Sequence, residues 1–186
     1  NQAGVPTALW QAITHPTQKI QGLCSTLGTP VIIKPAISGG SMGLGLKNVV
    51  SSDEEIELVI EELYKGYHGW DFTFGGLVAE KFIVGPEFTT FVTGSFHRPE
   101  QLKVYQPVER VFNEKLPDQE KFLSFDRLWD TYENEKPVGE SGYENLWEYC
   151  TPDESLQKEI IAISRKAYSA VQGTGYGRID IRMDKD

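Results

Sequence analysis

The sequence predicts an α+β protein of two lobes with mixed or antiparallel sheets. The first observation is the order of its segments, which is strand, glycine-rich loop, helix, three strands, a long irregular excursion, helix and strand. This order is typical of α+β proteins. The second observation is that the glycine-rich loop directly follows a strand, where closely spaced backbone N–H groups can surround an anion. We therefore expect a ligand to bind between the lobes.

Segments rich in β-branched and aromatic residues predict the strands. The predicted strands cover residues 31–34, 46–50, 77–83, 87–93, 102–111 and 177–183. The turn Val84-Gly85-Pro86 predicts that 87–93 returns as the antiparallel partner of 77–83.

Apolar residues at helical spacing predict two helices. The first covers residues 53–64 behind a capping box of Ser51 and Glu54. The second covers residues 156–171, begins behind a capping box at Thr151 and ends at Gly173. Residues 9–27 predict a short strand or helix, and residues 112–150 show no periodicity. This excursion is rich in aromatic residues, which favours packing over disorder.

The composition argues against several classes of protein. The formal net charge of −9 disfavours nucleic acid or an anionic membrane as a partner, because both attract basic patches. No apolar segment approaches membrane-spanning length, and residues 1–10 lack the basic start and apolar run of a signal peptide. Cys24 and Cys150 lack the spacing of a zinc site or a disulfide framework, which favours a reducing, cytoplasmic location.

The first clear strand ends on Lys34, and the loop behind it is rich in glycine at residues 39–45. A fixed cation followed by such a loop predicts a polyphosphate ligand. A Walker loop would need a lysine where Leu46 stands, and a kinase loop would need a third glycine and a His-Arg-Asp motif. Both of these phosphate loops are therefore excluded, and the position of Lys34 before the glycines further distinguishes this loop from them.

Four segments follow one another along the chain, and they are PVIIKP (30–35) with GGSMG (39–43), VAEKFI (78–83), GPEFT (85–89) and GRID (177–180). Together, in this order, they resemble the ATP-grasp superfamily, most closely the D-alanine–D-alanine ligase family. The resemblance covers nearly the whole chain and implies two α+β lobes that clasp ATP. It predicts an opening segment at 1–28, a central lobe at 29–95, and part of a C-terminal lobe at 96–186 with a long loop at 112–150.

The resemblance implies that Lys34 contacts the α- and β-phosphates of ATP, a task that suits a compact, mobile cation. It also implies a glycine-rich lid over the phosphates. The lid residues are Gly39, Gly40, Ser41, Met42 and Gly43. Ser41 either donates its hydroxyl to a phosphate or stabilises the turn.

The next two segments are implied to bind the nucleoside. Backbone groups of Glu80, Lys81, Phe82 and Ile83 would read the adenine edge, with the Glu80 side chain nearby and Phe82 or Ile83 as an apolar wall. Glu87 matches the family position that binds the ribose hydroxyls, for which a carboxylate acceptor is suited.

Arg178 and Asp180 lie two residues apart on a predicted strand, so both side chains project from the same face. Arg178 would stabilise the charge of a transferring phosphoryl group, and Asp180 would bind Mg²⁺ or Mn²⁺. Lys34 and Arg178 are thus the expected catalytic residues, and ATP with magnesium the expected cofactors.

The implied activity is ATP-dependent ligation of a carboxylate to an amine, both supplied by amino acids, through an acylphosphate, with a homodimer as one possible assembly. Alternatives are another ATP-grasp ligase of amino acids or peptides and a non-catalytic ATP-binding module. Residues 129–133 occupy the place of the family's Tyr-Glu-Ala-Lys-Tyr-like loop without its Lys-Tyr pair. The family's N-terminal substrate domain and its remaining magnesium ligands are expected outside residues 1–186, so this fragment alone is expected to be inactive.

Overall fold

The structure of the chain is a computed structural model, and it describes residues 3–66, 69–72, 74–138 and 145–184. The chain divides into two compact units. The first unit comprises Ala8–Ile83 and Glu114–Glu144, and the second comprises Asn1–Thr7, Val84–Asn113 and Asn145–Asp186. Each unit contains a sheet whose described strand pairs are antiparallel. The predicted α+β class is therefore confirmed.

The first unit combines a four-stranded sheet with three helices. Its strands are β1 (Trp10–Ile13), β2 (Val31–Pro35), β3 (Val49–Val50) and β4 (Leu77–Lys81). Its helices are α1 (Leu23–Leu27), α2 (Asp53–Lys65) and α3 (Phe125–Trp129). The strand order is β1-β4-β2-β3, and a 3-10 turn at Leu46–Asn48 leads into β3.

Helix α2 covers the sheet of the first unit with one apolar face. The buried residues of this face are Ile56, Val59, Ile60 and Leu63, as their spacing predicts. The helix begins behind Ser52, whose hydroxyl accepts a hydrogen bond from the Glu55 N–H, while the Glu55 carboxylate accepts one from the Ser52 N–H. The capping box predicted at Ser51 and Glu54 was wrong by one residue. Asp53 is the first helical residue, and the N-cap is the residue directly before it, which is Ser52.

The second unit combines a five-stranded sheet with one long helix. Its strands are β5 (Glu87–Ser95), β6 (Lys103–Val104), β7 (Val108–Phe112), β8 (Trp147–Cys150) and β9 (Thr174–Arg182). Strand β5 pairs with β9 along its whole length and with β6 and β7 on its other side, and β8 extends the sheet beyond β7.

Helix α4 (Glu154–Ala170) packs against the second sheet through buried Ile160, Ser164 and Tyr168. Its N-cap is Asp153, whose carboxylate accepts a hydrogen bond from the N–H of Leu156. The capping box predicted at Thr151 was therefore wrong, because Pro152 precedes the helix rather than opening it.

The hairpin predicted between residues 77–83 and 87–93 is absent from the described strands. Strand β4 pairs with β1 on one side and β2 on the other, so neither edge is left for β5. The units change at Ile83 and Val84, whereas the sequence placed the lobe boundary after residue 95. The difference arises because β5 belongs to the same sheet as β9.

Two further segments differ from the sequence expectation. The strand predicted at 102–111 is divided into β6 and β7, with Pro107 between them, and proline cannot donate to a sheet. The aperiodic excursion at 112–150 contains a 3-10 turn at Asp118–Glu120, α3 and β8, while its residues 139–144 lie outside the described residues.

None of the helices that the structure describes is long and apolar enough to cross a membrane.

Candidate functional site

Lys34 and Glu80 form an ion pair on the sheet of the first unit. Strands β2 and β4 are antiparallel with Ile32 opposite Glu80, which makes Lys34 a diagonal neighbour of Glu80 on the same face. The distance from Lys34 Nζ to Glu80 Oε1 is 2.5 Å, and the side chains are 36% and 28% exposed. The structure thus brings together the predicted phosphate ligand and one residue of the predicted adenine segment.

The backbone of the predicted adenine segment is partly engaged in the fold. The N–H of Lys81 donates to the carbonyl of Leu9 at 2.9 Å, and the N–H of Phe82 donates to the carbonyl of Pro30 at 2.8 Å. The Ile83 N–H has no acceptor among the residues that the structure describes. Ile83 is therefore the residue of this segment whose N–H stays available to a ligand among the described residues.

The ring of Phe82 points into the core of the first unit. Phe82 is buried, and its ring meets that of Phe122 edge-on with the ring centroids 5.7 Å apart. Ile83 is half-buried. Of the two residues predicted as an apolar wall for adenine, Ile83 is the one with an accessible side chain.

The predicted lid is a sharply turned loop. Gly40, Ser41 and Gly43 have φ values of 58°, 59° and 78°. Gly43 is constrained most strongly, because a Cβ there would lie 2.8 Å from Pro35 Cγ and 3.0 Å from the ring of Phe72. Residue 43 must therefore be glycine both for its backbone angle and for the space around it.

Side chains on both sides tie the lid to the excursion within the first unit. The Ser41 hydroxyl donates to the carbonyl of Leu123 at 2.8 Å. The indole N–H of Trp129 donates to the carbonyl of Gly40 at 2.8 Å. Of the two roles weighed for Ser41, the structure describes the one that stabilises the loop, and the phosphate contact stays a prediction.

Two buried side chains that sequence reasoning missed hold the base of the loop. The Asn48 amide donates to the carbonyls of Ile33 and Gly43 at 2.7 and 2.9 Å. The Glu135 carboxylate accepts from the N–H of Leu46 at 3.0 Å. A polar asparagine directly before the apolar pair of β3 is the signal that could have identified Asn48.

In the second unit, the predicted ribose ligand Glu87 lies between two arginines. It stands opposite Arg110 of β7 and Arg182 of β9, so the three side chains form a row on one face of the sheet. Arg110 donates to Glu87 Oε1, and Arg182 Nη1 lies 3.3 Å from Glu87 Oε2. The side chains of Arg110, Glu87 and Arg182 are 6%, 11% and 19% exposed.

Burial is the largest influence on the ionisation of Glu87 and Arg182. It raises the pKa of Glu87, while the charges of Arg110 and Arg182 oppose that rise and Asp180 adds to it. Burial also lowers the pKa of Arg182, against the attraction of Glu87. Glu87 and Arg182 therefore each favour the ionised form of the other inside the unit.

Arg178 and Asp180 continue the same face of the sheet, as their spacing predicts. Asp180 pairs with Thr89 across β5 and β9, and Arg178 pairs with Phe91. Arg178 Nη2 lies 2.8 Å from Asp180 Oδ2, and the Thr89 hydroxyl donates to Asp180 Oδ1 at 2.7 Å. The hydrogen bond to Asp180 raises the pKa of Arg178, which keeps the guanidinium charged.

Asp180 fits a metal ion that a nucleotide carries. Oδ1 accepts from the Thr89 hydroxyl and keeps a further acceptor position, whereas Oδ2 accepts from both Nε and Nη2 of Arg178. Within the described ranges, no three histidine, cysteine or acidic residues are arranged to hold a metal. Magnesium is commonly bound by one or two carboxylates together with phosphates and water. The described residues therefore fit magnesium bound jointly with phosphate and do not form an all-protein cage.

A cavity of about 480 Å³ lies in the first unit at the base of the loop. Its walls come from residues 43–48, from α2 and from the excursion around Phe125 and Glu135. Of the predicted site residues, Gly43 alone is among those that line it. This cavity is therefore distinct from the surface that carries Lys34 and Glu80.

The two antiparallel sheets, with a lysine and glycine loop on one and an Arg-Asp pair on the other, have the fold of the ATP-grasp ligases. A solved D-alanine–D-alanine ligase of Bacillus anthracis complexed with ATP matches with a TM-score of 0.64 and 18% identity, over 99% of this chain and 47% of that one. The VanG D-Ala:D-Ser ligase of Enterococcus faecalis matches with a TM-score of 0.63 and 19% identity, over 99% and 46%.

The sequence then identifies the family. The profile of the family D-ala D-ala ligase C-terminus matches residues 1–186, and the chain belongs to this family. The D-alanine–D-alanine ligase of Acinetobacter baumannii strain AYE is 28% identical over 182 residues, which are 97% of this chain and 48% of that protein. The resemblance drawn from four motifs is thus confirmed, and the chain spans about half the length of the relatives it matches.

Proposed function

We propose that this chain is the ATP-binding part of a ligase that joins a carboxylate to an amine through an acylphosphate. The observation that carries the proposal is the family match over residues 1–186. It is supported by the likeness to a solved ligase described as complexed with ATP. Amino acids are the proposed substrates, because the relatives are named as ligases of D-alanine.

The first unit supplies groups for the phosphates and the base in this proposal. Lys34 exchanges its partly exposed partner Glu80 for phosphate oxygens, which accept charge-assisted hydrogen bonds from a lysine as a carboxylate does. The loop at residues 39–43 covers the phosphates with its backbone. The N–H of Ile83 donates to the adenine edge, and its side chain contacts the ring.

The second unit supplies groups for the ribose and for the reacting centre. Glu87 accepts from the ribose hydroxyls, and Asp180 holds the metal that, when bound, neutralises charge on the phosphates. Arg178 is 64% exposed and stays charged, so it can stabilise the negative charge that develops during phosphoryl transfer and amine attack. The protein contributes positioning and charge neutralisation rather than a covalent step.

Two variants of the full-length protein test the proposal. Lys34→Ala is expected to weaken ATP binding by about tenfold to hundredfold, since it removes a charged hydrogen-bond donor. Arg178→Ala is expected to leave the ATP affinity within about threefold but to lower the rate of ADP release by about 10²- to 10³-fold. Calorimetry and an ADP assay give the two readouts.

Lys65→Ala is the matched control, because this lysine also pairs with a glutamate, Glu61, but lies on α2. It should change neither readout. An unchanged ATP affinity in Lys34→Ala would show that the phosphate assignment is wrong.

A second candidate is a ligase for an amino acid other than D-alanine, or for a peptide. The observation that favours it is that residues 129–133 stand in the region of the family's loop without its Lys-Tyr pair, and that Trp129 donates to the carbonyl of Gly40 instead. A screen of amino acids for ATP-dependent ADP release by the full-length protein distinguishes these substrates. ATP binding without release in any mixture would instead indicate the non-catalytic module.

A further inference from the structure

The row of Arg110, Glu87 and Arg182 fixes the orientation of one carboxylate. Strands β7, β5 and β9 are adjacent, and their register places the three side chains next to one another. Arg110 donates to one oxygen of Glu87, and Arg182 donates to the other. A carboxylate oxygen has two acceptor positions, so one position stays available on each oxygen. Two adjacent acceptors of this kind match a pair of neighbouring hydroxyl groups.

The two arginines are anchored differently. Arg110 also donates to the Tyr149 hydroxyl at 3.2 Å and lies over the Tyr149 ring, 5.5 Å from its centroid. Arg182 also donates to the carbonyl of Gly85 at 3.4 Å, two residues before Glu87. Arg182 therefore contacts both the carboxylate of Glu87 and the backbone that leads into it.

We infer that Arg182 is a positioning residue that holds Glu87 ready to accept hydrogen bonds from both ribose hydroxyls, and that it thereby sets the preference for ribonucleotides over deoxyribonucleotides. The inference rests on the proposed ATP binding. Without the guanidinium, one oxygen of Glu87 loses its partner and the carboxylate turns toward Arg110. Arg182 also opposes the rise in the pKa of Glu87 that burial causes, so it helps to keep the acceptor ionised.

The test compares the affinities of ATP and 2′-deoxy-ATP for the full-length protein by calorimetry. The wild type is expected to bind ATP about tenfold more tightly than 2′-deoxy-ATP, and this ratio of affinities corresponds to one hydrogen bond to a charged acceptor. Arg182→Met keeps the length of the side chain without its donors. It is expected to reduce the ratio to within about threefold, mainly by weakening ATP binding.

Two further variants keep the result interpretable. Arg98→Met removes an exposed arginine that contacts Gln101, and it should leave the ratio unchanged. Arg182→Gln retains a donor, and the ratio of affinities can be measured with this variant if Arg182→Met does not fold. The ratio reports on binding-competent protein alone, so a loss of stability by itself does not change it.

The outcomes separate the inference from the proposed function. Wild-type protein that does not bind ATP contradicts the proposed function. If the wild type prefers ATP and the Arg182→Met variant shows the same preference, only the role of Arg182 is contradicted. A reduced ratio that Arg182→Gln partly restores supports the role of Arg182.

Discussion

The predicted site residues of the two units are held in different ways. Lys34 and Glu80 form one pair whose side chains are 36% and 28% exposed. Glu87 lies between two arginines, and it is 11% exposed. An exposed pair costs little to separate, whereas a buried charge that loses its partner is strongly unfavourable. The first unit therefore offers a cation that can change partners, and the second offers a carboxylate in a fixed orientation.

Removing the glutamate from each pair tests this difference most directly. Glu87→Ala leaves Arg110 and Arg182 buried without their shared partner, so we expect a loss of about 3–5 kcal/mol in the free energy of unfolding. Glu80→Ala removes the partner of a partly exposed lysine, and we expect a loss of about 1 kcal/mol or less. Urea-induced unfolding of both variants measures the two values.

Equal losses in the two variants would contradict the comparison. Glu87→Gln provides the control for volume, because the amide fills the same space but offers one acceptor oxygen instead of two. The free energy of unfolding of Glu87→Gln should lie between the values of the wild type and Glu87→Ala.

The charged face of the second sheet was predictable in part from the sequence. The period of two along a strand places Arg178 and Asp180 on one face, and the same period extends to Arg182. The link from Arg182 to Glu87 was not predictable, because it joins residues 95 positions apart through the register of β5 and β9. Local periodicity identifies which face a side chain occupies, but not which strand lies beside it.

The contacts of the glycine loop were harder to predict than its existence. Lys34 and the glycines were recognised from local order, since a strand end and a flexible loop are local features. Their attachments come from Leu123, Trp129 and Glu135, which lie in a segment without periodicity. The partners in such a segment depend on how it folds back on the loop, which local sequence patterns do not report.

Two glycines of the loop give the next test of how firmly it is built. Gly43→Ala introduces a Cβ at a φ of 78° and 2.8 Å from Pro35, so we expect a loss of about 2–4 kcal/mol in unfolding free energy. Gly39→Ala is the matched control, because its Cβ would meet nothing within 4 Å, and we expect a change within about 0.5 kcal/mol. Similar values for both would show that the loop adjusts freely around residue 43.

The smallest expected effect concerns Trp129, whose indole N–H donates to the carbonyl of Gly40. Trp129→Phe keeps a ring beside Phe125 but removes the donor, so we expect a loss of about 0.5–1.5 kcal/mol in unfolding free energy. Hydrogen exchange of the amides at residues 39–43 should become faster, while exchange in β5 and β9 stays unchanged. Trp10→Phe, at an exposed position of β1, is the control for a tryptophan replacement. Unchanged amide hydrogen exchange at residues 39–43 would mean that the loop does not depend on its contact with the excursion. The contrast between an adjustable first unit and a fixed second unit would then rest on the Lys34–Glu80 pair alone.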